Sequence, residues 1–397
     1  MKILFINCVC GVGSTGRIVT DLMQQAKKQG HTVKVACSTV EPILGVDSDE
    51  VFVVGSKLDY YVHNVLSRLT DHEGRYSVIA TKRLIKQIKD YDPDVVHLHN
   101  LHGHWINYEI LFQYLSREKK RVVWTLHDCW AFTGHCSYFS ALKCERWKSH
   151  CSHCVGLRSY PMCFGKGDVS NNFERKKKSF TSIQDMTIVT PSEWLASLVK
   201  SSYLGIYPVK AIPNGIDLGV FKPTKSKFKE SHGITNKRMI LGVANVWSSR
   251  KGLNDIIELW NYLDENYSMV IVGLTEGQLK ELPSGVIGIG RTSDINELVD
   301  IYSAADVFVN PSYEETMGMV TAEAIACGTP AVVYDQTAVP EIVDQGSGIV
   351  VSAGDVEGLS RAITSIIQDK DRFQNTTVRA SAYEKNKQYS LYIDLYG

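Results

Sequence analysis

A strand, a turn and a helix follow one another between Val307 and Ile325, and this order constrains the fold more than any other stretch of the chain. The apolar run Val307 to Val309 predicts a short buried strand, and the Asn-Pro-Ser sequence at 310–312 is typical of a turn. A helical run then begins at Gly318. Strands that alternate with helices in this way indicate an α/β fold.

Two carboxylates frame this turn. Glu315 precedes the helix and Glu323 lies inside it, so about 12 Å of helical rise separates them, which is comparable to the length of a nucleotide sugar. The unpaired N–H groups and the positive dipole end of the helix between them favour a diphosphate. We therefore predict that Glu315 holds sugar hydroxyls and Glu323 the ribose. The backbone of the helix start would hold the phosphates through Thr316, Met317, Gly318, Met319 and Val320.

The Glu, seven residues, Glu pattern and the Ala-x-Ala-Cys-Gly-Thr-Pro sequence from Ala324 to Pro330 resemble the family-4 retaining glycosyltransferases of the bacterial surface-polysaccharide type. The resemblance runs from about Lys2 to about Ile367. It implies the α/β fold named GT-B, in which two Rossmann-like domains face each other across a cleft. It also implies transfer of a hexose or N-acetylhexosamine from a UDP- or GDP-sugar to a hydroxyl of a glycan acceptor. The resemblance further implies that this acceptor is lipid-linked and that the reaction belongs to surface polysaccharide synthesis.

The length of 397 residues suits two domains. We expect an acceptor domain at 1–205, with a Cys-rich insertion at about 129–165, completed by a C-terminal helix at about 380–397. The donor domain is expected at 206–379. Lys plus Arg and Asp plus Glu both total 43, so the zero net charge predicts no nucleic-acid partner.

The N-terminal apolar run is too short for a signal peptide, and no segment reaches eighteen uninterrupted apolar residues. We therefore expect a cytoplasmic protein, in peripheral contact with the inner face of the cell membrane. The basic run Arg175 to Lys178 could touch anionic lipid or a lipid-linked diphosphate, although a solvated helix face is an alternative.

The first strand, Lys2 to Ile6, leads into a glycine loop and a helix from Arg17, which is the opening of a doubly wound sheet. The glycine spacing fits a dinucleotide motif, but the second strand, Val33 to Cys37, lacks the acidic residue that a nicotinamide cofactor requires after it. By resemblance to the GT-B loop, Gly13 would approach the donor phosphates. The acceptor side would include Ser14, Gly16 and Arg17.

Polar residues follow the next two strands, Asp94 to Leu98 and Arg121 to Leu126. We predict that the first strand ends in an acceptor-binding rim of His99, Asn100 and His102. A metal site built from His97, His99, His102 and His104 is a weaker alternative, because alternation along a strand and the following turn separate them. The Thr-x-His-Asp sequence that ends the second strand resembles the family's active-site histidine at His127, with a hydrogen-bonded structural histidine as the alternative.

Six of the ten cysteines lie between Cys129 and Cys163. The spacing of Cys136, Cys144, Cys151 and Cys154 contains one CxxC knuckle, and tetrahedral zinc takes four such soft ligands. We predict a structural zinc site there, with free thiols or disulfides as alternatives. No metal or cofactor is expected in catalysis.

The strand Met239 to Asn245 begins the second domain and precedes Ser-Ser-Arg-Lys-Gly at 248–252. The Arg250-Lys251-Gly252 sequence matches the family, whose cations neutralise the leaving diphosphate. An additional arginine that many members carry is absent, because Ala244 and Asn245 occupy that neighbourhood. Asn245 and Arg291 are assigned to donor binding, and the four predicted catalytic residues are His127, Glu315, Lys251 and Arg250.

Two other functions fit the same pattern. A sugar-nucleotide epimerase of GT-B fold would bind the same donor without an acceptor, and a non-enzymatic scaffold would keep only a vestigial sugar site. For the transferase, Glu315 could in principle act as a covalent nucleophile, as in retaining glycosidases. We favour a positioning role, with the departing phosphate oxygen taking the acceptor proton.

Overall fold

The computed structural model describes residues 1–397 and divides them into two compact units. The first unit comprises residues 1–213 and 388–397, and the second comprises residues 214–387. Each unit is an α/β structure built on its own parallel sheet.

The sheet of the first unit has seven parallel strands: β1 (Lys2–Ile6), β2 (Thr32–Ser38), β3 (Val51–Val54), β4 (Val95–Leu98), β5 (Arg121–Thr125), β6 (Met186–Thr190) and β7 (Val209–Ala211). Their order in the sheet is β3-β2-β1-β4-β5-β6-β7. Alternation buries both faces, since Leu4 and Ile6 belong to one apolar cluster while Ile3 and Phe5 belong to another.

Helices connect these strands, as a parallel sheet requires. They are α1 (Gly13–Lys28), α2 (Lys57–Thr70), α3 (Val78–Tyr91), α4 (Tyr108–Glu118), α5 (Val169–Phe180) and α6 (Glu193–Lys200). A last helix numbered in chain order, α14 (Lys385–Asp394), places Tyr389 and Tyr392 in the core of this unit.

The second unit has six parallel strands: β8 (Arg238–Val243), β9 (Tyr267–Val272), β10 (Ile287–Ile289), β11 (Val307–Asn310), β12 (Ala331–Tyr334) and β13 (Gly348–Val351). Their order is β10-β9-β8-β11-β12-β13. The helices are α7 (Phe228–Ser231), α8 (Leu253–Leu259), α9 (Glu276–Lys280), α10 (Ile295–Ala304), α11 (Met319–Ala326), α12 (Val356–Gln368) and α13 (Thr376–Ala380).

The strand order reverses between β1 and β4 in the first sheet, and between β8 and β11 in the second. In open parallel sheets, ligands bind at such a switch point, beyond the carboxyl ends of the strands. The glycine loop and His99 follow β1 and β4. Lys251 and Glu315 follow β8 and β11, so the predicted site residues flank the two switch points.

Both unit boundaries lie later in the chain than the predicted ends at 205 and 379. The first boundary lies later because β7 pairs with β6 and therefore completes the first sheet. The second moves because Ala380 and Tyr383 belong to the apolar core of the second unit.

The first helix begins at Gly13 rather than Arg17, so the glycine loop is shorter than predicted. Between residues 129 and 165 the chain forms no strand and no α-helix, only single 3-10 turns. This Cys-rich segment nevertheless buries aromatic side chains, and the Trp147 ring centroid lies 5.0 Å from that of Phe139 and 5.3 Å from that of Phe132. Apolar burial therefore contributes to its folding, which the sequence interpretation did not anticipate.

The predicted basic patch at 175–178 is not a continuous surface. Arg175 donates two hydrogen bonds, of 2.6 and 2.7 Å, to the carboxylate of Glu109. Lys176 is buried, and only Lys177 and Lys178 are exposed. None of the helices combines the length and hydropathy that a bilayer crossing requires.

Candidate active site

The loops that follow β8 and β11 contact each other at the switch point of the second sheet. A side chain at Gly252 would place its Cβ 2.1 Å from the carbonyl oxygen of Pro311, so only glycine permits this approach. Arg250 donates from Nη1 to the carbonyl of Glu314 at 2.8 Å, and its own carbonyl accepts from the N–H of Tyr313 at 2.9 Å. Arg250 therefore fixes one loop against the other.

Lys251 and Glu315 form an ion pair between these two loops. Their side chains are 19% and 15% exposed, so both remain accessible to a ligand. The backbone of Glu315 is held on both sides: its N–H donates to the hydroxyl of Thr337 at 2.9 Å, and its carbonyl accepts from the N–H of Ala338 at 3.3 Å. The acid and the cation that were predicted separately thus form one unit.

The helix α11 begins at Met319, four residues after Glu315, with Gly318 as its N-cap. Within the protein, the backbone N–H groups from Thr316 to Met319 donate no hydrogen bond, as is usual for a first turn. The side chain of Met317 turns inward, where its sulfur accepts from the N–H of Asn214 at 3.2 Å. Of the predicted set, Met317 can therefore offer only its backbone.

Glu323 lies in the second turn of α11 and is half-buried. The hydroxyl of Tyr302, from α10, donates to its Oε2 at 3.0 Å. Burial, together with the charge of Glu323, raises the pKa of Tyr302 well above its usual range, so the phenol stays protonated and fixes this carboxylate. Tyr302 therefore orients the residue assigned to the ribose.

Asn245 and Arg291 are exposed and lie just beyond β8 and β10. Because the sheet is parallel, both stand at the same edge as Lys251 and Glu315. Val320, in the first turn of α11, is half-buried.

In the first unit, Asn7 joins the loops at the switch point. Its Oδ1 accepts from the N–H of Asn100 at 3.2 Å, and its Nδ2 donates to the carbonyl of Val9 at 2.7 Å. Of the residues predicted on the acceptor side, Ser14 and Arg17 are exposed.

Gly13 is exposed as well, whereas Gly16 is buried. The carbonyl of Gly16 accepts from the N–H of Gly11 at 3.1 Å. Gly16 therefore closes the glycine loop, and its place on the acceptor side stays a prediction.

His99 and His127 are stacked, with Nδ1 of His99 3.0 Å from Nε2 of His127. Burial lowers the pKa of His127 to about 4. Burial and the charges of neighbouring histidines also lower the pKa of His99 well below its usual value. Both rings are therefore neutral near pH 7, and His127 can donate a hydrogen bond but cannot serve as a strong acid.

His102 pairs with Asp128, the residue after His127, at 2.8 Å from Nε2 to Oδ2. Its Nδ1 lies 3.0 Å from the hydroxyl of Tyr160. Burial lowers the pKa of His102, but the charge of Asp128 outweighs burial, so the net shift is upward. A small cavity is lined by His99, Asn100, His102, His127 and Asp128 among others, so the predicted acceptor rim and active-site histidine meet in one place.

The four histidines at 97–104 do not converge on one point. His97 is buried between the hydroxyls of Tyr396, at 2.6 Å, and Thr125, at 2.8 Å. His102 pairs with Asp128 as described, and His104 contacts Glu73. The alternative interpretation, a metal site made from these four histidines, is therefore wrong.

A different group, His63, Glu73 and His104, does bring its ligand-type atoms within 4.8 Å of one another. Hydrogen bonds already account for this cluster. Nδ1 of His63 lies 2.8 Å from the Ser77 hydroxyl, and its Nε2 accepts from the N–H of Gly74 at 3.2 Å. Oε1 of Glu73 accepts from the backbone N–H of His104 at 2.8 Å. The remaining atoms, Oε2 of Glu73 and Nδ1 of His104, contact each other as an ion pair, so the cluster is a buried polar network.

Sequence reasoning missed Thr337 and Tyr302, which hold the two glutamates. Thr337 follows β12, the neighbour of β11, so its place at the carboxyl edge could have identified it. Tyr302 gave no such sign, since its position on α10 is indistinguishable from a core residue in the sequence.

Comparison with known protein families identifies the family of this chain. The family model described as Glycosyltransferase Family 4 matches residues 15–220, about half of the chain. The model described as Glycosyl transferases group 1 matches residues 224–387.

The chain belongs to glycosyltransferase family 4.

This glycosyltransferase is 25% identical to a protein of Escherichia coli (strain K12) named as a colanic acid biosynthesis glycosyl transferase, covering 90% of this chain and 88% of the relative. It is 22% identical to the N-acetyl-alpha-D-glucosaminyl L-malate synthase of Bacillus anthracis, with 96% and 92% covered. No epimerase is among these relatives, and the epimerase alternative has no support.

Solved structures show the fold. Sucrose-phosphate synthase from Thermosynechococcus elongatus superposes with a TM-score of 0.72 at 16% identity, covering 100% of this chain and 98% of that chain. HepE of Anabaena, solved in complex with UDP, superposes with a TM-score of 0.67 at 16% identity, covering 99% of each chain. The glycosyltransferase therefore has the two-domain α/β fold named GT-B, as predicted.

Proposed function

We propose that this glycosyltransferase transfers a hexose or N-acetylhexosamine from a UDP- or GDP-sugar to a hydroxyl of a glycan acceptor, with retention of the anomeric configuration. The observation that carries the proposal is the Lys251–Glu315 pair, in which Glu315 stands four residues before the first residue of α11. A cation, an acid and free backbone N–H groups are together the chemistry that a diphosphate sugar needs.

In the proposed step, the bond between the anomeric carbon and the phosphate oxygen breaks, and a bond to the acceptor oxygen forms. The acceptor proton passes to the departing phosphate oxygen on the same face. Lys251 and the first N–H groups of α11 stabilise the charge that develops on the leaving diphosphate. Arg250 supports Lys251 by fixing the loop, since its Nη1 already donates to the carbonyl of Glu314.

Glu315 is assigned to the sugar hydroxyls. Its contact with Lys251 and its two backbone hydrogen bonds hold the carboxylate in one place, which suits an acceptor of hydroxyl hydrogen bonds. Glu323, held by Tyr302, is assigned to the ribose. Mass spectrometry that detected a sugar trapped on Glu315 would instead favour a covalent nucleophile.

We assign His127 to the transferred sugar and the rim around it to the acceptor. Burial lowers the pKa of His127 to about 4, so the neutral ring offers a hydrogen bond to a sugar hydroxyl, and we assign its backbone carbonyl to the charge that develops on the ring carbon. His99, Asn100 and His102 line the same small cavity, and this arrangement supports an acceptor site in the first unit.

A lipid-linked acceptor, met in peripheral contact with a membrane, is supported by the surface of α2. This helix buries polar His63 and Ser67 and exposes apolar side chains, of which Leu58 is 72% and Val65 is 56% exposed. Tyr61, Val62 and Leu69 continue the exposed stripe at helical spacing. Exposed apolar stripes of this kind mark interaction surfaces, and interfacial helices carry them.

A role in surface polysaccharide synthesis is supported by the name of the Escherichia coli relative. A panel of UDP- and GDP-sugars tests the donor, because a bound donor raises the melting temperature by mass action. We expect donors with one of the two bases to raise the melting temperature. The sugar of the bound donor should then be slowly hydrolysed or transferred. Nuclear magnetic resonance of the product should show the donor's anomeric configuration, and an inverted product or a panel without any response would contradict the proposal.

Sedimentation with vesicles tests the membrane contact. We expect binding to vesicles that contain anionic lipid, and we expect Val62→Glu together with Val65→Glu to abolish it. The matched control is Leu391→Glu together with Val378→Glu, which places the same two charges on exposed apolar positions of α14 and α13. Equal sedimentation of all three proteins would contradict the assignment of α2.

A further inference from the structure

Four cysteines of the Cys-rich segment belong to, or border, the large apolar cluster of the first unit. Cys136 and Cys151 are buried in that cluster, and Cys144 and Cys154 pack against it. The sulfur atoms of Cys136 and Cys154 lie 3.7 Å apart. Zn–S bonds of about 2.3 Å in a tetrahedron place two sulfurs about 3.8 Å apart, so this pair already has the spacing of one edge.

Two of the four sulfurs accept hydrogen bonds from backbone N–H groups. The N–H of Gly134 donates to Sγ of Cys151 at 3.2 Å, and the N–H of Gly156 donates to Sγ of Cys154 at 3.3 Å. A Cβ at Gly156 would lie 3.0 Å from Sγ of Cys136, so the backbone passes close over this sulfur. Backbone donors aimed at sulfur are what an anionic ligand requires once water is excluded.

We propose that Cys136, Cys144, Cys151 and Cys154 bind one structural Zn²⁺ ion in tetrahedral geometry. All four are free of disulfides in the structure, and the CxxC spacing of the last two supplies a knuckle of the usual kind. The site takes a soft, four-coordinate cation and leaves no position for substrate, so its role is to hold the segment together.

The charge of such a site is balanced nearby. Four thiolates and one Zn²⁺ carry a net charge of about −2, which is costly to bury without a counter-charge. Lys176 is buried and donates to the carbonyls of Trp130, at 2.9 Å, and Thr133, at 3.2 Å, beside the Cys-rich segment. We assign Lys176 as the counter-charge of the proposed site because its ammonium group is held in place by these two carbonyls.

The site also connects to the residues around His127. Ser137, next to Cys136, accepts from the N–H of Cys129 at 3.0 Å, and its own N–H donates to the carbonyl of Tyr160 at 3.2 Å. Cys129 directly follows Asp128. Tyr160 and Asp128 are the two partners of His102, so a metal that fixes Cys136 also fixes both ends of this hydrogen-bonded group.

Elemental analysis of the purified full-length protein tests the proposal without reference to activity. We expect one zinc per chain, and X-ray absorption should show four sulfur neighbours at about 2.3 Å. Growth with Co²⁺ should give the thiolate charge-transfer bands of tetrahedral cobalt. Absence of zinc after growth in zinc-supplemented medium, or nitrogen and oxygen neighbours in place of sulfur, would overturn the proposal.

Variants locate the metal. Cys154→Ser and Cys136→Ser should each lose the bound zinc, whereas Cys163→Ser, at a buried cysteine of the same segment, should retain it. Glu73→Gln should also retain zinc, because Glu73 belongs to the hydrogen-bonded network with His63 and His104 and not to the proposed ligands. Zinc that persists in Cys154→Ser, or that disappears in Glu73→Gln, would contradict the assignment.

A Cys154→Ser protein that fails to accumulate does not leave the question open, because X-ray absorption on the unmodified protein still identifies the ligands. Mass spectrometry under non-reducing conditions adds a second check. A disulfide between Cys136 and Cys154, seen as a loss of two hydrogens, would contradict the zinc site.

Discussion

The ammonium group of Lys251 contacts the carboxylate of Glu315, although 64 residues separate them in the chain. They meet because β8 and β11, which deliver them, are neighbours at the point where the sheet order reverses. A cation for the diphosphate and an acid for the sugar therefore share one position. Each residue restrains the other before any donor binds, so the geometry of the site is set in advance.

Glu323 should contribute mainly to nucleotide binding. Glu323→Gln keeps the size of the side chain but removes the charge, and we expect the Kd for the nucleoside diphosphate to rise roughly tenfold, about 1.4 kcal/mol. Tyr302→Phe removes only the hydrogen bond that orients Glu323 and should raise the Kd by a smaller factor. Isothermal titration calorimetry measures both. Unchanged affinity in Glu323→Gln would argue against its assignment to the ribose.

Thr337 should act through Glu315 rather than on the donor. Thr337→Val removes the hydroxyl that accepts from the N–H of Glu315 and keeps the branched shape. We expect kcat to fall roughly tenfold, about 1.4 kcal/mol, with little change in nucleotide affinity. Thr337→Ser restores the hydroxyl and should recover most of the rate. A serine variant as slow as the valine variant would point to a packing role.

Buried neutral histidines should make the protein sensitive to acid. Burial lowers the pKa of His97 to about 3, well below the value of about 6.5 for an unfolded chain. The folded state therefore binds fewer protons, and stability falls as the pH drops below about 6.5 towards 3. His97→Gln should lower stability at pH 7 but reduce its slope between pH 6 and 4 by up to about 1.4 kcal/mol per pH unit. Urea unfolding at several pH values measures this, and an unchanged slope would count against it.

The pKa shift of His102 has the opposite sign to that of His97, so His102 serves as the comparison. Its pKa is raised in the folded state, since the charge of Asp128 outweighs burial. The contribution of His102 to the free energy of unfolding is therefore fully present below about pH 6.5, and it is lost as the pH rises through the pKa of His102 in the folded state. The stability difference between the unmodified protein and His102→Gln should shrink as the pH rises from 6 to 9. A difference that grew over this range would contradict the ion pair with Asp128.

The architecture was largely predictable because it depends on local patterns. Apolar runs such as Lys2 to Ile6 and Val307 to Val309 fall where the structure has β1 and β11, and the turns between strands and helices carry clear signals. The short strand β3 and the helix α4 were not identified. The unit boundaries were misplaced because the assignment of β7 depends on its pairing with β6.

The site was predictable as a list of residues but not as an arrangement. Sequence motifs picked out Glu315, Lys251 and His127, yet the contact between the first two depends on the order of strands in the sheet. The burial of Lys176 and the ion pair of Arg175 with Glu109 could not be predicted from the basic run in the sequence either. Such outcomes depend on which face of α5 packs inward.

The transfer rate of Lys251→Met tests the central claim most directly. With the donor that the panel selects, we expect kcat/KM to fall by about 100-fold or more, because the variant lacks the cation that stabilises the leaving diphosphate. Lys280→Met, at an exposed lysine of α9, is the control and should keep the unmodified rate. Because Lys251 contacts Glu315, the double variant with Glu315→Gln should lose much less than the product of the two single losses. A Lys251→Met enzyme as fast as the control would contradict the account.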